Sequence, residues 1–452
     1  MQARLTTGPV LPSLLKMAAP MSLGIVAMIA FNLADTWFIA QLGPVPLAAV
    51  SFTFPVVFSF ASLAMGLGQG TTSVISRAIG ESDPEKVRRL TTDALLLALM
   101  VVGASMLLGY ATLGPLFRLL GANEKIRPLV LQYMHIWYGG LFFTIVPMVG
   151  NSAIRASGDM KYPALIMTLA ALGNVVLDPI LIFGLFGFPP LGLAGAAWAT
   201  LISRAATLVA SVSLLHFKYG MLDWSRPNLD RLWTSWKPIL KVGLPAAGSN
   251  LLQPLSIGVI TALVAHEGVG AVAGYGIAGR IEALALVPLM GLGAALGPFA
   301  GQNWGANQRG RVAQGVYLGF GIALVWGLVW GLVGFSAGPW LVRLFQSDPA
   351  VVSVGAQYLA LVPFGMGFFG VRALTASYFN ALGRPLAPTL LVGIQFLVLQ
   401  LPLAFLLQSS FGLIGLFGST LIAYVGTGTL AALWTRRSLN LALSQSQPGV
   451  TS

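Results

Sequence analysis

The chain has 452 residues, of which 8% are charged and 56% are hydrophobic. A soluble domain carries about 25% charged residues, so this composition excludes the ordinary water-soluble classes. The formal net charge is +12, but most basic residues lie in termini and loops on one side of the apolar segments, which accounts for the charge without a nucleic-acid partner.

Apolar stretches of about 20 residues, long enough to cross a hydrocarbon core of about 30 Å, recur along the whole sequence. We predict an all-α integral membrane protein with twelve transmembrane helices. The first stretch is too long for a removable signal peptide and is counted as a helix. From the N terminus the predicted spans are 13–40, 47–76, 91–113, 129–152, 163–185, 193–216, 240–264, 270–298, 313–335, 353–378, 388–408 and 414–436.

The second six spans repeat the first six. An offset of 225 residues aligns Gln132-Tyr133 with Gln357-Tyr358, and near the end of each copy an offset of 220 aligns Thr200 with Thr420. A constant offset of this length indicates a duplicated fold. Because each copy has an even number of spans, we predict two parallel six-helix repeats with a binding site near the bilayer midplane.

The duplication suggests four segments. We predict an N-terminal lobe over 1–217, a cytoplasmic linker over 218–239, a C-terminal lobe over 240–436 and a polar C-terminal tail over 437–452. The termini and the loops between even- and odd-numbered spans hold most of the 25 Lys and Arg residues. The positive-inside rule therefore predicts that both termini are cytoplasmic.

Asp35 is the first ionisable residue inside a span. A carboxylate at the centre of a transmembrane helix costs about 2.5–3.5 kcal/mol on insertion scales, so it is functional by default. Pro20, Gly24, Met28, Asn32 and Asp35 recur every three or four residues and share one helix face. This polar stripe suits a cavity, and Pro20 permits a bend. The alternative is an Asp35 that only ties helices together.

Asp178 in the fifth span has a polar neighbour on the same helix face. Asn174 lies one turn earlier on the same face, and Pro179 leaves the carbonyl of Val175 without its helical donor. A loosened turn that lines a cavity can coordinate a coupling cation. Thr200 in the sixth span can add a hydroxyl, although a membrane threonine often bonds only its own backbone. A proline kink used only for packing is the alternative reading of this turn.

The second copy does not repeat these acids, since Ile260 and Leu403 stand at the positions of Asp35 and Asp178. Cation coupling is therefore predicted in the first lobe alone. A structural ion pair between Glu282 and Arg372 across two helices is left open. The intramembrane charges of this copy are Arg280, Glu282 and Arg372.

Thiol and metal chemistry find no support in the sequence. The chain has no cysteine, and its three histidines are scattered without metal-ligand spacing. No phosphate-binding loop or nucleophile motif is present, so we expect a protein that is not an enzyme and has no cofactor.

Four polar runs resemble motifs of the multidrug and toxic compound extrusion (MATE) family, over essentially the whole chain. The resemblance implies two six-helix lobes in a V shape and the export of cationic, amphipathic drugs and toxic organic cations, driven by inward flow of H+ or Na+. We expect a monomer in the bacterial inner membrane. The runs are Asn32-Leu33-Ala34-Asp35-Thr36, Met65-Gly66-Leu67-Gly68-Gln69-Gly70, Arg155-Ala156-Ser157-Gly158-Asp159 and Gly173-Asn174-Val175-Val176-Leu177-Asp178-Pro179.

One branch of that family carries a further carboxylate in the middle of helix 7, where this chain has Gln253, so the sequence resembles the DinF-like branch. The coupling ion is predicted to be H+, with Na+ at Asp35, Asn174 and Asp178 as the alternative. By the resemblance, the cation site consists of Asp35, Asn174, Asp178 and Thr200. The residues assigned to the cavity or to helix bending are Pro20, Met28, Asn32, Pro179 and Gln253.

The predicted mechanism is antiport. Burial favours the neutral form of a carboxyl group, so an outward-facing site takes up a proton, helix 1 bends near Pro20, and a cationic drug loses its counter-charge. Two other functions are weighed: a lipid-linked oligosaccharide flippase, which needs a more basic cavity, and an integral-membrane enzyme, which needs a catalytic constellation. A wide apolar cavity with few polar groups favours tolerance of many substrates.

Overall fold

The computed structural model describes residues 3–223 and 229–445, and every regular element within these ranges is helical. The helices of the first repeat are α1 (Val10–Gln41), α2 (Pro44–Gly80), α3 (Pro84–Leu119), α4 (Arg127–Gly139), α5 (Leu141–Ala156), α6 (Lys161–Phe183) and α7 (Leu193–Ser213). Those of the second are α8 (Leu229–Ala265), α9 (Val269–Gly305), α10 (Arg309–Arg343), α11 (Pro349–Leu361), α12 (Met366–Ala381), α13 (Leu386–Gly393) and α14 (Leu401–Ser444).

Short irregular helical turns extend or join several of these helices. A π-helical turn over Leu214–Lys218 extends α7, and another over Ile394–Gln400 joins α13 to α14. A 3₁₀ turn over Val362–Gly365 joins α11 to α12. The 3₁₀ turn keeps α11 and α12 within one span, and the second π-helical turn does the same for α13 and the first part of α14.

The helices of the described residues make twelve spans. Ten runs of helix in the described residues are long and apolar enough to cross a membrane, and α4 with α5, bent by 45°, makes an eleventh. One of the ten, Leu386–Ser444, has 59 residues, about 88 Å of helix and nearly three times a hydrocarbon core. It is broken at Gly412, where φ is 58° and ψ is −138°. Division at this break gives the twelfth span and confirms the predicted fold class.

The repeat extends to the backbone of individual residues. Gly192, which precedes α7, has φ 56° and ψ −131°, nearly the values of Gly412, its equivalent at the offset of 220. Ser82 and Asn307, equivalent at the offset of 225, both have φ 58°. L-residues rarely adopt these conformations, so their recurrence at matched positions confirms the duplication.

The glycine-rich run on α2 serves helix packing. A Cβ atom at Gly66 would collide with the carbonyl oxygen of Gly243 on α8, and one at Gly70 would collide with that of Ile239. In a membrane, helix association depends on van der Waals packing, and small residues let two backbones approach closely. The run is therefore a contact surface for α8.

The chain forms two compact units, and α1 and α8 contribute to both. Among the described residues, the first unit contains 20–223 and 229–247, and the second contains 3–19 and 248–445. The change of unit falls at Pro20 in α1 and two residues after Pro245 in α8. This division differs from the predicted lobes over 1–217 and 240–436, which assigned each span to one lobe.

The predicted linker and tail are helical in part. Residues 224–228 of the linker lie outside the described residues, and α8 begins at Leu229, before the predicted start at 240. Trp236 anchors this extension, since its Nε1 donates to the backbone oxygen of Asp93 over 2.8 Å. The tail, predicted from 437, is helical to Ser444, with Leu439 buried. Hydropathy detects only the part of a helix that lies in hydrocarbon, so it misses such polar extensions.

Candidate functional site

Asp178 and Asn174 form the centre of a buried polar cluster in the first unit. Both lie on α6, one turn apart, and are 0% and 2% exposed. With the Asn174 amide oriented to satisfy both neighbours, Nδ2 donates to Oδ2 of Asp178 over 2.8 Å, and Oδ1 accepts from the backbone N–H of Thr200 over 3.1 Å. The structure thus places these two predicted residues in direct contact.

Thr200 joins the cluster from α7, which packs along α6. The hydroxyl oxygen of Thr200 lies 3.3 Å from Oδ1 of Asn174, the same atom that accepts from the backbone N–H of Thr200. The approach of α7 is close because Gly195 has no side chain: a Cβ atom there would collide with the carbonyl of Leu181. Thr200 therefore contacts the neighbouring helix as well as its own.

Pro179 follows Asp178 without ending α6, which continues to Phe183. Because proline has no N–H, the carbonyl of Val175 lacks its helical donor. This carbonyl, the carboxyl group and the hydroxyl of Thr200 provide three kinds of oxygen close to one level of α6. Such a set suits a proton or a hard cation.

Asp35 on α1 is half-buried, and its Oδ1 is a buried atom without a hydrogen-bond partner in the described residues. A buried polar atom left unpaired carries a desolvation cost of about 1–3 kcal/mol. Asp35 and Asp178 lie within electrostatic range of each other. A bound proton or cation would satisfy the unpaired oxygen and reduce the repulsion between the two carboxylates.

Tyr133 is a member of this neighbourhood that sequence reasoning missed. It lies on α4, is 8% exposed, and is within electrostatic range of both Asp35 and Asp178. In the sequence it served only to align the repeats. Its recurrence as Tyr358 was a signal that a phenol at this position has a polar neighbour in each copy.

The predicted polar stripe of α1 does not face one environment. Gly24 is buried, and a Cβ atom there would lie 3.2 Å from Cα of Ala164 on α6. Pro20 and Met28 are half-buried, whereas Asn32 is exposed. Gly24 in the stripe is therefore part of a helix contact, and the end of the stripe from Asn32 onward is more exposed. The assignment of the stripe to a cavity stays a prediction.

The second unit holds a buried acid in a different setting. Glu282 on α9 is 7% exposed, and its two carboxyl oxygens accept hydrogen bonds from the hydroxyls of Tyr358 and Tyr424. Arg372 does not pair with it: its guanidinium lies 4.8 Å from the Phe369 ring centroid, and its Nε has no partner among the described residues. The Glu282–Arg372 ion pair that the sequence left open is therefore absent from the described residues. The hydroxyls of Tyr358 and Tyr424 donate to the carboxyl group instead.

A neutral counterpart of the first-unit cluster also occurs in the second unit. Nε2 of Gln400 donates to the hydroxyl of Thr420 over 3.0 Å, and the hydroxyl of Ser256 donates to Oε1 of Gln400 over 3.3 Å. Thr420 is the repeat equivalent of Thr200, so an amide contacts the equivalent threonine in each unit. Gln253 lies on α8, one turn from Ser256, but it is exposed and outside this network.

Clusters able to hold a metal through several acidic or imidazole ligands are not found. Within residues 3–223 and 229–445, no group of three or more His, Cys, Asp and Glu side chains is so arranged. Any Na+ at the first-unit cluster would therefore rely on amide, hydroxyl and carbonyl oxygens beside the carboxylates.

Comparison with protein families gives a match in each repeat. The model of the MatE family matches residues 20–180 and 245–406. The first stretch contains α6 up to Ile180, and together the two stretches cover most of the chain.

Individual proteins match over nearly the full length. The FAD transporter of Shewanella oneidensis is 40% identical over 401 residues, which make up 88% of this chain and 88% of that protein. The probable multidrug resistance protein YpnP of Bacillus subtilis is 28% identical over 413 residues, 90% of each chain. The structure of the Vibrio cholerae MATE transporter VcmN in the bent form is 30% identical, covers 95% of this chain and 97% of that one, and superimposes with a TM-score of 0.89.

Proposed function

The chain belongs to the MatE family, and we propose that it exports cationic or amphipathic drugs in exchange for H+ bound at Asp35 and Asp178. As a member of this family it is a multi-pass membrane transporter and not an enzyme. The predicted bias of basic residues supports an inner-membrane location with both termini in the cytoplasm. We also propose that it works as a monomer.

The pair of carboxyl groups of Asp35 and Asp178 is the observation that carries the proposal. Two acids inside one membrane unit lie in electrostatic range, and one of them has a buried oxygen without a partner. Ionisable groups are rare at this depth and mark ion pathways. No salt bridge to either acid occurs among the described residues. A site that must hold one or two negative charges in this way suits a proton or a drug cation.

In this proposal, the proton and the drug cation are exchanged because they compete for the carboxyl groups of Asp35 and Asp178. When both carboxyls are ionised, their charge attracts a cationic drug; when one binds a proton, the attraction falls. The side chain of Asn174 links Asp178 to Thr200, so a change of charge at Asp178 acts on both α6 and α7. One drug cation exchanged for one proton moves no net charge, so the pH gradient alone would drive this cycle.

Na+ coupling is the alternative for the same residues. The carboxylates, the Asn174 amide, the Thr200 hydroxyl and the freed carbonyl of Val175 supply the oxygen ligands that a hard cation prefers. Purified protein in liposomes with a fluorescent cationic drug distinguishes the ions, because H+ and Na+ gradients can be imposed separately. Uptake driven by a pH jump without Na+ supports the proposal, and uptake that responds only to Na+ overturns the H+ assignment.

FAD is a second candidate substrate, favoured by the 40% identity to a protein named as an FAD transporter. FAD is an anion with a flat ring system, so its site would need basic and aromatic groups. In the second unit, Arg280 is exposed within the α9 span, and Arg372 is buried with an unpaired Nε. Charged residues in a span usually face water or a ligand rather than lipid.

The two substrate classes can be separated in one assay. Liposomes containing the protein would be tested with ethidium and with FAD, each against wild type and Arg280→Gln. A selective loss of FAD transport in the variant would favour the anionic substrate. Ethidium transport that responds to Asp35→Asn and not to Arg280→Gln would favour the drug exporter.

A further inference from the structure

A cavity of about 590 Å³ lies at the end of the second unit, where the α9–α10 loop, the α12–α13 loop and the end of α14 meet. It is independent of the acids assigned to transport. Its lining includes two arginines, one tryptophan, several neutral polar side chains and no acid: Trp304, Asn307, Arg309, Arg384, Ser438, Leu441, Ala442 and Gln445.

Arg309 is held in a fixed position on one side of the cavity. Its guanidinium lies 3.4 Å from the ring centroid of Trp304, and its two terminal nitrogens donate to the Trp304 carbonyl over 2.8 Å and to Oδ1 of Asn307 over 3.0 Å. A guanidinium has five N–H donors, so these contacts orient the group and leave others for a ligand. Asn307 itself is fixed by the positive-φ turn between α9 and α10.

Arg384 supplies a second positive charge that has no salt bridge among the described residues. It is exposed, and its guanidinium has no hydrogen-bond acceptor or salt-bridge partner among the described residues. The sequence offers no acid nearby, since 300–312, 380–390 and 434–452 contain no Asp or Glu. Two like charges facing one cavity repel each other, and an anion between them removes the repulsion.

The first repeat provides an internal comparison at the equivalent position. Asp159 stands at the position of Arg384, and its Oδ2 accepts from the hydroxyl of Tyr219 over 2.8 Å. Lys218, the equivalent of Ser438, places its ammonium 3.3 Å from the centroid of the Tyr162 ring. In that repeat the charges are satisfied by neighbouring side chains. The equivalent residues of the first repeat, Asp159 and Lys218, thus do not form an unsatisfied basic pair.

Other arginines at this end are already in use or lie outside the cavity. The Arg311 guanidinium donates to Oδ1 of Asn303 and to the backbone oxygens of Leu5, Thr7 and Gly8, so it ties down the N-terminal segment. Its role is structural. Arg436 and Arg437 on α14 are exposed and do not line the cavity.

We propose that this cavity binds a phosphate-bearing anion between Arg309 and Arg384. Arginine pairs with phosphate oxygens through two N–H groups at once, and Ser438 and Gln445 provide neutral hydrogen-bonding groups beside them. The phosphate can belong to the headgroup of an anionic phospholipid or to a soluble compound. A lipid would place its chains along Leu441, a lining residue that is 58% exposed.

The full chain, purified in a mild detergent, tests the proposal by native mass spectrometry with phosphatidylglycerol and with phosphatidylcholine. The soluble source is tested by titration calorimetry with inorganic phosphate and with glycerol 3-phosphate. Retention of phosphatidylglycerol alone assigns the lipid headgroup, and binding of the soluble anions alone assigns a soluble ligand. Absence of binding in both arms overturns the proposal.

Two double variants locate the site. Arg309→Gln with Arg384→Gln is expected to weaken binding by about tenfold or more, because each removes a charge-assisted contact. Arg436→Gln with Arg437→Gln removes the same charge outside the cavity and should bind as wild type does. If both double variants lose the same amount of anion binding, the effect depends on net charge alone, and the assignment of the site is wrong.

A third variant guards against misfolding. Arg384→Asp introduces the residue of the first repeat, which the equivalent turn tolerates there, and it should abolish anion binding while the thermal unfolding midpoint and drug transport stay at wild-type values. Anion binding that survives in a folded Arg384→Asp protein would contradict the proposal.

Discussion

Asn174 donates a hydrogen bond to Asp178 over 2.8 Å, one turn away on α6, while the other end of its amide accepts from Thr200 on α7. This single side chain therefore connects a buried acid to the neighbouring helix. Because an amide has one donor end and one acceptor end, Asn174 can contact the carboxyl group of Asp178 and the backbone N–H of Thr200 at the same time.

Asp35→Asn should abolish drug efflux while leaving the protein folded in the membrane. The substitution keeps the size of the side chain but removes the carboxylate charge for which the proton and the drug compete. Ethidium efflux from cells that express the variant measures the effect. Thr36→Val is the matched control, since the Thr36 hydroxyl donates to the carbonyl of Asn32 on its own helix. Wild-type resistance in cells with Asp35→Asn would refute the mechanism.

Asn174→Ala should reduce H+-driven transport by about tenfold or more, because it removes a hydrogen bond to a carboxyl group, worth about 1.5–3 kcal/mol when the group is charged. Thr200→Val should have a smaller effect, since the backbone N–H of Thr200 still reaches the amide. Initial rates of uptake into liposomes give the comparison. Equal losses in the two variants would show that the amide does not act through Asp178.

Glu282→Gln should keep the response to the coupling ion. The amide oxygen of glutamine can accept from Tyr358, so the tyrosine contacts survive in part and the first-unit acids are unchanged. Transport in liposomes is measured with and without a pH gradient, beside Asp178→Asn as the variant that should lose the response. Loss of the pH response in Glu282→Gln would place coupling in the second repeat as well.

The sequence was sufficient for the architecture, because hydropathy and a constant offset both report on long stretches of chain. It was also sufficient for the pair Asn174 and Asp178, since a spacing of four residues fixes a shared helix face. It did not reveal Tyr133, whose importance depends on which helices pack together. Nor did it predict the Gln400 contact to Thr420, because a π-helical turn shifts the register between the repeats.

Pro20→Ala should slow transport while leaving stability unchanged or higher. Pro20 lies inside an uninterrupted α1, at the residue where α1 passes from the second unit to the first. Alanine restores the hydrogen bond to the carbonyl of Lys16 and removes a cost of up to about 3 kcal/mol for proline in a helix. If α1 bends there during the cycle, the straighter helix should lower the rate by about tenfold.

The control for Pro20→Ala is Pro55→Ala, which makes the same change inside α2. Transport rates and thermal unfolding midpoints of both variants would be compared with wild type. Normal transport by a stabilised Pro20→Ala protein would argue against bending at this residue.

Gly66→Ala should destabilise the protein, although alanine favours a helix by about 0.5–1 kcal/mol over glycine. The new Cβ atom would meet the carbonyl of Gly243 and the backbone of Ala247 on α8, neither of which can move without shifting a helix. Such overpacking costs about 1–3 kcal/mol, so the clash outweighs the gain in helix propensity. Gly103→Ala on α3 is the control, because nothing lies within 4 Å of its Cβ position. The thermal midpoint should fall for the first variant and hold or rise for the second; a fall of equal size in both would mean that the close approach of α2 to α8 is not what the glycine permits.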